Sequence, residues 1–153
     1  MLIRNIKEFL KKTSQKKIIC LDIGKKKIGL AISDPNHKLS IPLDVIKKDA
    51  SFFLNLKKIL IDFDVGSILI GLPLNEDKTL NRMCQFIQDV VKRLDSYLSK
   101  NKLELPIFFW DESYTSFEAS DLTYELFKNT KTQKKFIDKF AAKVILDDFL
   151  KEL

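Results

Sequence analysis

The chain has 153 residues, 45% of them hydrophobic and 31% charged, with 27 Lys and Arg against 21 Asp and Glu. That size suits one domain over residues 1–153 with a core that needs no staple, and the composition excludes a disordered chain, a collagen-like repeat and a disulfide scaffold. No uncharged apolar run nears the roughly 20 residues of a membrane span. The basic start MLIRNIKEFLKK lacks the apolar core and cleavage site of a secretory signal, so a cytoplasmic protein with no membrane partner is expected.

Residues 1–15 read as a short amphipathic helix or arm. Lys17 to Ile23, KIICLDI, is a near-continuous apolar run that suits a strand buried on both faces. Gly24 to Lys27 makes a turn, and Ile28 to Ser33 returns as the second strand of a hairpin. Asp34-Pro35-Asn36 signals a loop, and a third short strand follows near Ile41 to Ile46. Residues 50–63 are helical in period, with Phe53, Leu56, Ile59, Leu60 and Phe63 on one side. Ser67 to Ile70 is a short buried strand, followed by the loop GLPLNEDKT. Leu80 to Lys100 is a long helix. Pro106 opens the strand IFFW, which ends at Trp110. Residues 115–127 and about 134–150 form two further helices, with the polar segment KNTKTQKK between them as a surface loop. Hairpin first, then strand–helix alternation: the pattern predicts an α/β layered fold with a mixed sheet.

Cys20 and Cys84 fall within apolar patterns and read as buried thiols of a reducing compartment. His37 is the only histidine and reads as a loop residue, so no His-based zinc site can form. Any metal chemistry falls to carboxylates. The basic balance suits a polyanionic partner, although all but three of the basic residues are lysine, which drift in composition also produces.

Three carboxylates break the local patterns. Asp22 ends an otherwise apolar strand, where a lone charge costs several kcal/mol unless capped, paired or metal-bound. Glu112 follows the buried run IFFW at a strand's carboxyl end, the place where open α/β sheets put their sites. It also suits a helix N-terminus, and Asp111 beside it leaves the ligand ambiguous. Asp138 lies within about 60° of Ala141, Ala142, Ile145 and Phe149 on a helical wheel, so it projects from an apolar face. Three such groups meeting at one point repel one another unless cations are present. Oxygen donors favour Mg²⁺ or Mn²⁺, and two such ions suffice for phosphodiester hydrolysis without a His, Cys or Ser nucleophile. Gly24 and Gly71 stand beside this region, where glycine permits a positive φ or a close backbone approach.

LDIGKKKIGLAISD, GLPLNEDKT, WDESYTSFEA and KKFIDKFAAKVIL occur in that order, and the chain resembles the YqgF family over roughly residues 18–150. Members of that family are described as Holliday junction resolvases and as pre-16S rRNA nucleases. The resemblance implies an RNase H-like fold, a five-stranded mixed sheet flanked by helices. It also implies that Asp22, Glu112 and Asp138 are a catalytic, metal-binding triad. Nucleic-acid contacts would fall to Lys26, Lys27, Thr79, Lys134 and Lys135. The chain departs from the family in having Lys27 and Ser113 where arginine is usual, and Lys78 where glycine is common. Lysine does not fork onto phosphate as arginine does, so these departures bear on binding more than on chemistry.

The reading that follows is a metal-dependent nuclease using Mg²⁺ or Mn²⁺ in 5′-end maturation of precursor 16S rRNA, and a monomer. The rivals are a Holliday junction resolvase, a non-catalytic nucleic-acid binding module, and an actin-like phosphotransferase, for which 153 residues are too few.

Overall fold

In a computed structural model of the chain, the described residues are 1–112 and 130–153, with side chains in the second segment from residue 137 onward. The expected helix over 115–127 lies outside them. The elements in chain order are β1 (Leu2–Ile3), α1 (Ile6–Thr13), β2 (Lys17–Ile23), β3 (Lys27–Ser33), β4 (Ser40–Lys47), α2 (Phe52–Asp62), β5 (Val65–Leu72), α3 (Arg82–Lys100), β6 (Ile107–Asp111) and α4 (Thr130–Lys151).

The strands form one sheet in the order β1-β6-β5-β2-β3-β4. β2, β5 and β6 run parallel, and β3 and β4 return antiparallel. The sheet has six strands rather than the expected five. The extra one is β1, whose Leu2 and Ile3 pair in parallel with Ile107 and Phe108 of β6. Two residues carry no periodicity, so this strand hides within what reads as an arm. The helical part of that arm is real: α1 is capped by Asn5, whose side chain accepts from the Lys7 and Glu8 amides.

Alternation along each strand divides the core into two layers. Ile19, Leu21 and Ile23 of β2, with Ile28, Leu30 and Ile32 of β3, pack against α2 and α3. Ile18 and Cys20, with Ala31 and Leu69, face α1 and α4. Both cysteines are buried free thiols. α2 buries Phe52, Leu56 and Leu60, whereas Phe63 caps its end and is exposed.

α4 begins at Thr130, four residues before its expected start, so the last six residues of KNTKTQKK are helix rather than loop. The segment has no Gly or Pro to interrupt a helix, and a polar first turn shows no apolar period that could betray it. The far end of α4 is anchored at several points. Trp110 Nε1 donates to Asp148 Oδ2 at 2.9 Å, Ser40 Oγ donates to Asp147, and Phe149 meets Trp110 edge-on. These contacts fix where Asp138, near the start of the described side chains, meets the sheet.

Candidate active site

Asp22 is the penultimate residue of β2. Counting by two from Ile18 and Cys20, it faces α4. Its neighbour across the hairpin is Gly29. A Cβ at Gly29 would stand 2.8 Å from the Asp138 carbonyl oxygen, 3.7 Å from Ala142 Cβ and 3.7 Å from Asp22 Cβ. The missing side chain therefore lets α4 lie directly on the hairpin, with Asp22 and Asp138 on either side of the gap. The exclusion of Ala142 from solvent completes the close approach.

Glu112 arrives from the other side. Its amide donates to the Leu72 carbonyl at 3.1 Å, which continues the β5–β6 ladder by one bond. Asp111 is registered with Leu72, which belongs to the α2–α3 layer. Glu112, one residue on, turns to the α4 layer and folds over Gly71: a Cβ there would stand 3.0 Å from Glu112 Oε2 and 2.7 Å from Ile145 Cδ1. Alternation thus settles which of the two adjacent acids enters the cluster. Glu112 is buried, 6% exposed. Glycine serves here through close approach alone, since no glycine among the described residues has a positive φ.

The electrostatics follow from this convergence. Burial lifts the Asp22 carboxyl from an ordinary 3.8 to about 6, and the neighbouring Asp138 adds to the effect. Glu112 rises from 4.5 to about 8, by burial first and then by repulsion from Asp22 and Asp111. The Cys20 thiol is pushed up as well, by burial and then by Asp22 and Glu112. It stays a neutral thiol and no nucleophile. Among the described residues, no three His, Cys, Asp or Glu side chains stand close enough to grip an ion between them. As a donor set the cluster is all carboxylate oxygen, with Cys20 protonated and His37 at the opposite end of the sheet, where its Nε2 lies 2.8 Å from the Lys16 carbonyl. That chemistry fits a hard divalent cation.

Beside the carboxylates is a shallow pocket of about 210 Å³ lined by Asp22, Gly24, Lys26, Lys27, Gly29, Val45 and Asp138. Lys27 Nζ lies 3.6 Å from Asp138 Oδ2. Lys26 and Lys27 therefore stand next to Asp22 and Asp138. Thr79 is on the loop after β5, its Oγ1 donating to Asp77 Oδ1 at 2.5 Å and accepting from Asn75 Nδ2 at 3.0 Å. Lys134 and Lys135 are on the first turns of α4, and their side chains lie outside the described residues. Sequence reasoning missed two features. One is Gly29, whose pairing with Asp22 is readable only by counting back through the hairpin. The other is an ion pair between Lys78 and Asp111, a tertiary contact with no local signal.

Comparison with known proteins identifies relatives of this chain. A family model described as "RuvX: Holliday junction resolvase" matches residues 16–152. A Mycoplasma mobile protein named "Putative pre-16S rRNA nuclease" is 37% identical over 134 residues, covering 85% of this chain and 88% of that protein. Proteins of the same name from Orientia tsutsugamushi and Pelagibacter ubique are 35% and 36% identical, covering 100% and 92% of this chain and 96% and 93% of their own lengths. A solved structure of Thermus RuvC, titled "T. thermophilus RuvC in complex with Holliday junction substrate", superposes with a TM-score of 0.53 at 9% identity, over 90% of this chain and 94% of that one. At that identity the likeness shows the fold, which is RNase H-like.

Proposed function

This chain belongs to the RuvX/YqgF family, and from that membership and the converging carboxylates we propose that it is a divalent-metal-dependent nuclease that trims the 5′ end of precursor 16S rRNA in the cytoplasm. The observation that carries the reading is the meeting of Asp22, Glu112 and Asp138 over Gly29 and Gly71, at the end of the sheet where the parallel strands finish. The raised pKa values of Asp22 and Glu112 support a cluster short of positive charge.

Asp22, Glu112 and Asp138 would hold Mg²⁺ or Mn²⁺. Ions of this class supply an activated water and neutralise charge on the leaving oxygen during phosphodiester hydrolysis. The chain's own residues do the rest. Gly29 lets the backbone that carries Asp138 close on Asp22, and Gly71 leaves room for the Glu112 carboxyl. Lys26 and Lys27 present ammonium groups to the phosphates beside the pocket, and Thr79, Lys134 and Lys135 extend that contact along the strand. Among the described residues nothing else in the cluster offers a nucleophile, which leaves attack on phosphorus to water.

Holliday junction resolution is the second reading, favoured by the description of the matching family and by nothing else in the site. The test of the first reading is cleavage of labelled RNA by the wild type and by Asp22→Asn, Glu112→Gln and Asp138→Asn. Each variant keeps the side chain's shape and is expected to lose activity by roughly two or more orders of magnitude. Undiminished cutting by any two of them overturns the triad.

A further inference from the structure

We propose that Lys78 is a phosphate contact on the flank of the carboxylate cluster opposite Lys26 and Lys27, with Asp111 holding its ammonium in place until a nucleic-acid strand replaces it. The inference rests on the nuclease reading above and adds a residue to its substrate surface.

The sheet order gives the geometry. Across the edge where β6, β5 and β2 end, Asp111 and Glu112 come first, then the loop of residues 73–81, then Asp22, then the hairpin carrying Lys26 and Lys27. Lys78 Nζ is ion-paired with Asp111 Oδ2, so its charge is fixed at the β6 end of this edge, on the α2–α3 side that Asp111 faces. The acidic centre thus has lysine on both flanks, which suits a polyanion laid across the edge rather than along one side.

The loop is built to present this side chain. Lys78 has φ 67°, a left-handed conformation that a residue with a Cβ rarely adopts. Hydrogen bonds around it hold that shape: the Lys78 amide to the Asn75 carbonyl at 2.8 Å, the Asn75 amide to the Thr79 carbonyl at 3.0 Å, and Asn81 Nδ2 to the Pro73 carbonyl at 2.7 Å. The lysine therefore projects from a fixed frame. Its pair with Asp111 is also exchangeable. Lys78 is 65% exposed and Asp111 29%, and an ion pair this wet contributes little to stability. A phosphate takes over the ammonium at little cost.

The test uses the full-length protein in EDTA, so that binding is read without cutting, with a labelled single-stranded oligoribonucleotide as probe. Lys78→Gly removes the charge while suiting the backbone. Lys102→Gly is its matched control. Lys102 is also exposed with positive φ, 59°, but lies on the α3–β6 connection at the other end of the sheet. Lys78→Gly should weaken binding several-fold at low salt and reduce the slope of log K against log salt by about 0.7, one single-strand contact. Lys102→Gly should leave the slope unchanged. Asp111→Asn should tighten binding in the wild type and less so in the Lys78→Gly background. Equal slopes for the two glycine variants overturn the proposal. So do Lys78→Gly and Asp111→Asn weakening binding alike, since the pair is then a structural tie. If the wild type binds and cuts RNA while the glycine variants coincide, only the Lys78 assignment fails. If it neither binds nor cuts, the nuclease reading falls with it.

Discussion

Asp22→Asn tests the electrostatic origin of the site through stability, with no substrate present. The folded protein holds the Asp22 proton more tightly than the unfolded chain does, since the carboxyl rises from 3.8 to about 6. As far as this group is concerned, stability is greatest below pH 3.8, falls as pH rises, and levels off above about 6. At about 1.4 kcal/mol per pH unit of displacement, ionised Asp22 costs the fold about 3 kcal/mol at pH 7. Glu112 adds a loss of the same sign between 4.5 and about 8. The two share one repulsion, so their costs do not add in full. Asparagine carries no charge, and the variant escapes the penalty. We expect thermal unfolding in EDTA at pH 7 to show a rise of up to roughly 6–12 °C for Asp22→Asn, at 2–4 °C per kcal/mol. Near pH 4 the rise should vanish. A saturating divalent cation should narrow the gap at pH 7 by stabilising the wild type more than the variant. An equal difference at pH 4 and pH 7, or a variant that melts below the wild type at pH 7, refutes the reasoning.

Gly29→Ala and Gly71→Ala should separate stability from chemistry. At Gly29 the new methyl meets backbone, the Asp138 carbonyl oxygen at 2.8 Å, so α4 must move and unfolding should shift by about 1–3 kcal/mol. At Gly71 it meets the movable ends of Ile145 and Glu112, so cleavage should fall while the melting temperature changes less; the reverse ranking contradicts the packing argument. The protein should also be monomeric at micromolar concentration by light scattering. β4, at the sheet edge, exposes Ile41, with exposed Leu39 just before it, but carries Pro42 and Asp44, which oppose edge-to-edge pairing. A stable dimer contradicts this.

The sequence made the carboxylates legible because each broke a strong pattern. Asp22 interrupts an apolar strand, and Asp138 shares a helix face with Ala142, Ile145 and Phe149, all of which are fully buried. Glu112 was legible only to within one residue, because Asp111 beside it is equally acidic. The register with Leu72 and the space over Gly71 decide between them, and both are tertiary facts. β1 escaped because two residues show no period. The start of α4 escaped because a polar turn of helix and a polar loop have the same composition. The Lys78–Asp111 pair joins residues 33 positions apart, with nothing local to announce it.

The most direct test of the account is a two-substrate assay. Purified protein and its Asp22→Asn variant are incubated with precursor 16S rRNA and with a four-way DNA junction, each with Mg²⁺, Mn²⁺ or EDTA. The account predicts that the wild type shortens the rRNA precursor at its 5′ end with a divalent cation, that EDTA or Asp22→Asn stops it, and that the junction is not cut in symmetric pairs. Symmetric cutting of the junction with the precursor left intact would contradict it.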